Sequence, residues 1–299
     1  MKKIPPRFLV ISGGGIKVIS IVGTLKALEG QGVLKNIKEI SGVSAGAWLA
    51  FMLSAGLSIE TIEALVLGFE FSVIRNLKPE TFIGFPETFG LDDGTNLIKF
   101  VESIFKVAIK IDPSVTFREF NELKRSNIQF RCWATDLKEE TTCEFSFKKT
   151  PDVKILDALR ASMALPLYFT PVTHPISGNL LTDGGIQGNL PLHLLSESER
   201  RNCLGIGFEY SDSSKNNPSD LMGFVSSLFA CLIHSRHENV LKKLESSIIR
   251  IPIHDTVSWD FEISREQRTK LLKNGYDSGL KWLSNKLPKP IIIRRHSVQ

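Results

Sequence analysis

Apolar runs and helical periods take turns along this chain. Phe8–Ile11 is a continuous apolar run that ends in Ser-Gly-Gly-Gly, the pattern of a buried strand feeding a tight turn. From Ile16 to Gln31 the period changes. Ile21, Leu25 and Leu28 recur at i, i+4 and i+7, which predicts a helix stopped by Gly32. Ile37–Ser41 predicts a second strand, and Ala45–Ala55 a second helix closed by Gly56. Strand, turn, helix, repeated, is the order of a parallel sheet with crossover helices, which places the chain in the α/β class.

Further on, Ser58 is the expected N-cap of a helix reaching about Leu67. An irregular stretch follows, with a helix expected from Asn96 to Ile109 behind Thr95 as N-cap. Thr116 and Glu119 have the spacing of a capping box. Strands are predicted at Ile128–Ala134, Cys143–Phe147, Asn179–Thr182, Leu204–Tyr210 and Ile248–Ile253. Helices are predicted at Val153–Leu165, stopped by Pro166, at Asp220–Glu245 and at Arg265–Asn285. No internal repeat or low-complexity linker divides the 299 residues, so a single domain is expected. Its main motifs lie in 8–210, further strand and helix elements in 211–287, and a loose tail in 288–299.

Composition narrows the setting. With 42% hydrophobic and 23% charged residues the chain can bury a sizeable core. A net charge of +5 permits attraction to an anionic lipid surface, and no Lys/Arg run interleaved with aromatics argues for nucleic acid. The four cysteines form no CxxC pair, and buried free thiols are expected for Cys132, Cys203 and Cys231. The basic N-terminus lacks the apolar core of a signal peptide. No stretch reaches 18 apolar residues. The expected location is cytoplasmic or peripheral to a membrane. No metal or cofactor is called for.

Two turns carry candidate chemistry. Ser12–Ser20 reads SGGGIKVIS between a strand and a helix, where exposed N–H groups and the helix dipole favour negative charge. Val18 stands where a dinucleotide fingerprint needs its third glycine, and the lysine and hydroxyl of a P-loop are missing. An oxyanion hole or a plain tight turn remains. Gly42-Val43-Ser44-Ala45-Gly46 matches GxSxG at a predicted strand–helix corner. Such a corner crowds the residues flanking the serine, and glycines at 42 and 46 relieve the crowding. A simple helix cap on Ser44 is the other reading.

A serine needs a base. Among six histidines, His254 is the formal candidate for an α/β-hydrolase triad. The alternative is a carboxylate. Asp183 ends an apolar run and is followed by Gly184 and Gly185, which let the chain turn away from it; an ordinary Asp-Gly turn would have the same sequence. Five phenylalanines, Phe69, Phe71, Phe82, Phe85 and Phe89, fall in the irregular stretch and suit either a lipid-facing lid or packing onto the core.

Taken together these motifs resemble the patatin-like phospholipase family. SGGGIK is similar to its oxyanion loop, GVSAG to its nucleophile elbow and DGG to its catalytic aspartate motif, in that chain order. GTLKALEGQG, WATDL, ALRASMALPLYFTPV and GNLP add to the likeness, which spans about Phe8 to Tyr210. The resemblance implies a three-layer α/β/α sandwich with a mainly parallel central sheet, and a serine–aspartate dyad that cleaves fatty acyl esters of lipids. It implies Ser44 as nucleophile, Asp183 as base, and Gly13, Gly14 and Gly15 around the oxyanion. Lys17 matches the motif's basic position. Val18 departs from the family's glycine there, which raises the alternative of an inactive lipid- or partner-binding module. A lipid substrate and a peripheral membrane contact are the implied partners.

Overall fold

The computed structural model describes residues 5–209, 238–253 and 261–286, with Phe224, Ser227 and Thr256 besides. Most of the expected helix at Asp220–Glu245 therefore lies outside the described residues; within them, Glu238–Lys243 is helical. His254, Cys231 and the tail 288–299 also lie outside them.

Strands β1 (Phe8–Ile11), β2 (Glu39–Val43), β3 (Gly90–Asp92), β4 (Gln129–Asp136), β5 (Thr141–Ser146), β6 (Leu167–Phe169), β7 (Val172–Thr173), β8 (Leu180–Asp183), β9 (Cys203–Glu209) and β10 (Ile248–Pro252) follow in chain order. The eight-stranded main sheet has the order β10-β9-β1-β2-β4-β8-β7, with β5 also on β4, while β3 and β6 form a separate pair. The body from β10 to β4 is parallel, and β5, β7 and β8 add antiparallel pairs. Principal helices are α1 (Val18–Gly30), α2 (Ala45–Ser54), α3 (Ile59–Gly68), α4 (Thr95–Ser103), α5 (Phe117–Glu122), α6 (Ile155–Ser162) and α7 (Arg265–Lys286).

The strands read as unbroken apolar runs because both faces of the sheet are covered. Alternate side chains enter two different clusters. Leu9 and Ile11 of β1, Cys132 and Ala134 of β4, and Leu204 and Ile206 of β9 face the larger cluster with α1, α2 and α7. Val10, Val43, Trp133, Cys203 and Ile248 face a smaller one closed by Leu190, Leu192 and Leu195. The result is a mixed sheet between two outer layers, an α/β sandwich.

Boundaries shift where local chemistry overrides periodicity. The helix expected behind Thr95 is capped one residue earlier, by Gly94 at φ +72°, because Asp92 and Asp93 accept the N–H groups of Gly94 and Thr95 at 2.7 and 2.8 Å. It also turns into a π-helix over Ile104–Ile109. The second strand starts at Glu39, two residues later than the apolar run, and carries on to Val43. The Ser58 cap and the Thr116–Glu119 capping box form as their sequences require.

The irregular stretch divides its phenylalanines. Phe71 is buried, and the Phe69 ring lies tilted against that of Phe100 with centroids 4.0 Å apart. Phe82 and Phe89 remain 53% and 52% exposed, beside Ile83 at 81%. Phe82 and Ile83 sit on a short helix, Pro79–Ile83, and Phe89 follows as the C-cap of the next, Phe85–Thr88.

Candidate active site

β1 and β2 are neighbours in parallel, so the turns after them emerge at the same edge of the sheet. This is the carboxyl end, where open α/β sheets present their ligand crevices. Ser12–Gly15 leaves β1 there and Ser44 leaves β2.

Asp183 arrives by a different route. A strand has two edges, and β5 occupies one edge of β4 from Arg131 to Asp136. The other edge is divided. β2 takes it as far as the Val43–Trp133 pair, and β8 takes it from the Ala134–Asp183 pair onward. β2 is parallel to β4 and β8 antiparallel, so the two strands run towards each other along one edge. Their C-terminal ends meet at Ser44 and Asp183.

Ser44 occupies φ +55°, ψ −138°, a left-handed region that a side-chain-bearing residue enters only under constraint. The constraint is visible in its flanks. A Cβ on Gly42 would lie 2.6 Å from the Gly46 carbonyl oxygen, and one on Gly46 would overlap the Ser12 carbonyl. Ser44 therefore sits in a corner only glycine neighbours permit, with its side chain half-buried at the start of α2. The hydroxyl makes no cap bond to α2, which sets aside the simple capping role. The Ser44 amide donates to Ser162 Oγ at 3.0 Å, and that hydroxyl donates to the Trp133 carbonyl at 2.7 Å. Ser162, fully buried on α6, thus ties the corner to β4. The sequence did not single it out, because a lone serine in a helix has no motif of its own.

Asp183 is 3% exposed. Its backbone is pinned on both sides: its N–H donates to Ala164 O at 2.8 Å, and its carbonyl accepts Thr135 Oγ1 at 2.9 Å. Oδ1 accepts the Gly185 amide at 2.7 Å, a bond the Gly184-Gly185 turn makes available. Burial pushes the carboxyl up from 3.8 to about 6, against the opposing pull of hydrogen-bond donation from Ser44 and Gly185. The Ser44 hydroxyl is close enough to act on this carboxylate, yet Oδ2 has no partner of good hydrogen-bond geometry. A loose contact of this kind is common in unliganded sites and tightens around substrate.

The glycine loop lies directly against this pair. A Cβ on Gly13 would be 3.0 Å from Ser44 Cβ. The Gly13 amide is already committed to Asn189 O at 2.9 Å, so Gly13 borders the site without lending its N–H. Gly15 takes φ +54° and opens a short 3-10 turn to Lys17. Lys17 is half-buried, and desolvation lowers its ammonium from 10.5. Val18 has φ −61° and ψ −17°, ordinary helical values, and its side chain is buried in the main cluster. The backbone at 18 therefore does not require glycine in this chain.

Of the described histidines, His174 is buried with Nδ1 accepting the amides of Ile176 and Ser177, both at 3.1 Å. His254 lies outside the described residues. Among the described residues no group of three or more His, Cys, Asp or Glu is placed to hold a metal ion. Cys132 and Cys203 are buried free thiols, and Cys143 is half-buried. No helix among the described residues is long and apolar enough to cross a membrane.

Comparison with known proteins gives consistent matches. The family model described as "Patatin-like phospholipase" matches residues 9–196. The YqhO protein of Bacillus subtilis (strain 168) is 25% identical over 287 residues, covering 89% of this chain and 94% of that one. The probable lipid hydrolase 463L of Invertebrate iridescent virus 6 is 26% identical over 231 residues, 77% of this chain and 73% of the viral one. Among solved structures, VipD from Legionella pneumophila superposes with a TM-score of 0.59 at 19% identity, covering 94% of this chain and 67% of VipD, a likeness of fold.

Proposed function

The chain belongs to the patatin-like phospholipase family, and from that premise we propose that it is a serine lipid acyl hydrolase, with Ser44 as nucleophile and Asp183 as its base. The observation that carries the reading is the head-to-head meeting of β2 and β8 on one edge of β4, which sets the serine corner against a buried carboxylate.

Asp183 takes the Ser44 proton as Oγ attacks the ester carbonyl. A carboxyl held near pH 6 is a stronger base than an exposed one and is still ionised at neutral pH. The tetrahedral intermediate carries a negative oxygen, which the amides of Gly14 and Gly15 and the N-terminal end of α2 stabilise. Collapse expels the alcohol or lysolipid, which takes the proton from Asp183. Water then attacks the acyl-serine, giving its proton to the same carboxylate, and the fatty acid leaves as Ser44 Oγ takes that proton back. Lys17 supports the glycine loop from its far end. Val18 fits its helical backbone, so it is no reason to favour an inactive binding module. The exposed Phe82, Ile83 and Phe89 suit contact with the lipid surface that holds the substrate.

Release of fatty acid from a panel of phospholipids, lysophospholipids and acylglycerols tests the reading. Wild type is expected to act on at least one class, and Ser44→Ala to lose that activity along with fluorophosphonate labelling. Labelling or turnover that persists in Ser44→Ala overturns it.

A further inference from the structure

Both backbone polar atoms of Gly13 are bound to one residue. Its N–H donates to the Asn189 carbonyl at 2.9 Å, and its carbonyl accepts Asn189 Nδ2 at 2.7 Å. The same carbonyl also accepts Ser12 Oγ at 2.8 Å, so both its lone-pair directions are used. The side-chain packing is equally close. A Cβ on Gly13 would stand 2.5 Å from Asn189 Oδ1 and 3.0 Å from Ser44 Cβ, so the Asn189 amide, the first loop glycine and the serine corner lie against one another.

The consequence follows from the peptide unit. The Gly13 carbonyl and the Gly14 N–H belong to one planar trans peptide and point in opposite directions. Holding the oxygen on the Asn189 side aims the Gly14 N–H away from it. A peptide between two glycines has no Cβ on either side to resist rotation, so it needs an outside anchor to keep one orientation. Among the three glycine amides, that of Gly13 is spent on Asn189, which leaves Gly14 and Gly15 as donors.

We infer that Asn189 is a positioning residue that locks the Gly13–Gly14 peptide so that the Gly14 amide faces the oxygen developing on a carbonyl attacked by Ser44. The inference rests on the hydrolase reading above and adds a residue to it. It also links the two halves of the site. Asn189 closes the same turn that begins at Asp183, and a Cβ on Gly185 would fall 3.0 Å from Asp183 Oδ1 and 3.1 Å from Asn189 Oδ1. One seven-residue turn, 183–189, thus sets both the base and the oxyanion donor, and the two keep their spacing if that turn shifts.

Truncating Asn189 leaves its own backbone carbonyl to hold Gly13 N–H and leaves Ser12 Oγ on the Gly13 carbonyl. The fold is therefore expected to survive Asn189→Ala, with a melting temperature close to wild type. On a soluble p-nitrophenyl ester, kcat should fall about 10- to 100-fold while KM stays within about twofold, the signature of an interaction made in the transition state. Affinity for a fatty-acyl trifluoromethyl ketone, which adds Ser44 to give a bound oxyanion, should fall by a similar factor. Asn189→Asp should be worse than alanine above the aspartate pKa, because it sets a second acceptor against the Gly13 carbonyl.

The Gly14 amide resonance in a 15N-labelled sample, recorded without substrate, should shift or broaden in Asn189→Ala. An unchanged Gly14 resonance overturns the inference, as does an unchanged kcat. A loss of kcat that comes with raised KM and a lowered melting temperature overturns it too, since that is the mark of a merely structural role. A wild type without Ser44-dependent turnover sinks the hydrolase reading instead. The two failures are told apart because the Gly14 resonance does not depend on activity.

Discussion

At neutral pH Asp183 holds a negative charge where water does not reach it, and that charge opposes folding. The folded carboxyl keeps its proton up to about pH 6, whereas an unfolded one loses it near 3.8. The folded state thus binds more protons across that window, and stability falls as the pH rises through it. At 1.36 kcal/mol for each pH unit, the ionised form costs on the order of 3 kcal/mol at neutral pH. Asp183→Asn is therefore expected to raise the unfolding free energy at pH 7 by about 1–3 kcal/mol while abolishing turnover. Urea denaturation at pH 7 and pH 4 checks the first part, and the gain should shrink at the lower pH. The base must be ionised to act, so kcat/KM of wild type should drop on the acid side with a midpoint near 6 rather than near 4. Ser162 sits in the same layer of the site. Replacing it with alanine strands the Ser44 amide and the Trp133 carbonyl, at about 1–3 kcal/mol for buried polar groups left unpaired. Reduced stability in denaturant together with reduced kcat is the expected result. Ser44 and Asp183 were readable because each stands in a motif with glycines at fixed offsets. Ser162 and Asn189 fell inside longer blocks of family likeness with no role attached, since their roles lie in bonds to residues 118 and 176 positions away.

The irregular segment between α3 and α4 is held at its base and open at its tip. Buried Asp92 accepts the amides of Asn76 and Gly94 at 2.6 and 2.7 Å, and Arg160 reaches the carbonyls of Asp93 and Thr170 at 3.1 and 3.0 Å. Arg268 of α7 holds the carbonyl of Phe69 on the other side. Through the β3–β6 pair the tip connects to Leu167, three residues beyond the Ala164 carbonyl that accepts the Asp183 amide. Phe89 and Leu167 both carry positive φ and both are exposed, so neither gains packing in return for its backbone strain. Serine at Phe82 and Ile83 should lower flotation with phosphatidylcholine vesicles several-fold and slow hydrolysis of vesicle lipid. It should leave p-nitrophenyl ester turnover and the melting temperature nearly unchanged, as exposed substitutions usually do. Serine at Phe69 or Phe71 should lower the melting temperature instead. Sequence pattern left lid and packing open because aromatic content does not encode which rings the core has room for. Helix and strand identities fared better, since period and caps are local. Their ends moved by one to three residues: the helix expected to reach Leu165 ends at Ser162, and Asp92 and Asp93 shift the start near Thr95.

Across the whole molecule, α1 and α7, the last of the described helices, close one face of the sheet. α1 and α7 approach until Thr24 Oγ1 donates to the Gly275 carbonyl at 2.8 Å, and a Cβ on Gly275 would overlap the Ser20 carbonyl. Gly275→Ala should lower stability by about 1–3 kcal/mol, read by urea denaturation, because a packed crossing cannot take up a methyl group without moving apart. Its effect on kcat should be smaller than that of any change at the sheet's carboxyl edge. The sequence by itself determined the alternation of strands and helices, the parallel βαβ start, the serine corner and the Asp-Gly-Gly turn. Each of these is written in spacings of a few residues, where sterics and hydrogen bonding act between neighbours. Only the tertiary structure decided that β8 runs back along the edge β2 vacates, that burial lifts the carboxyl at its end, and that Ser162 and Asn189 hold the two turns in place. Those outcomes depend on which strands share an edge and how much water remains between them, quantities set by contacts between residues from about fifty to well over a hundred positions apart.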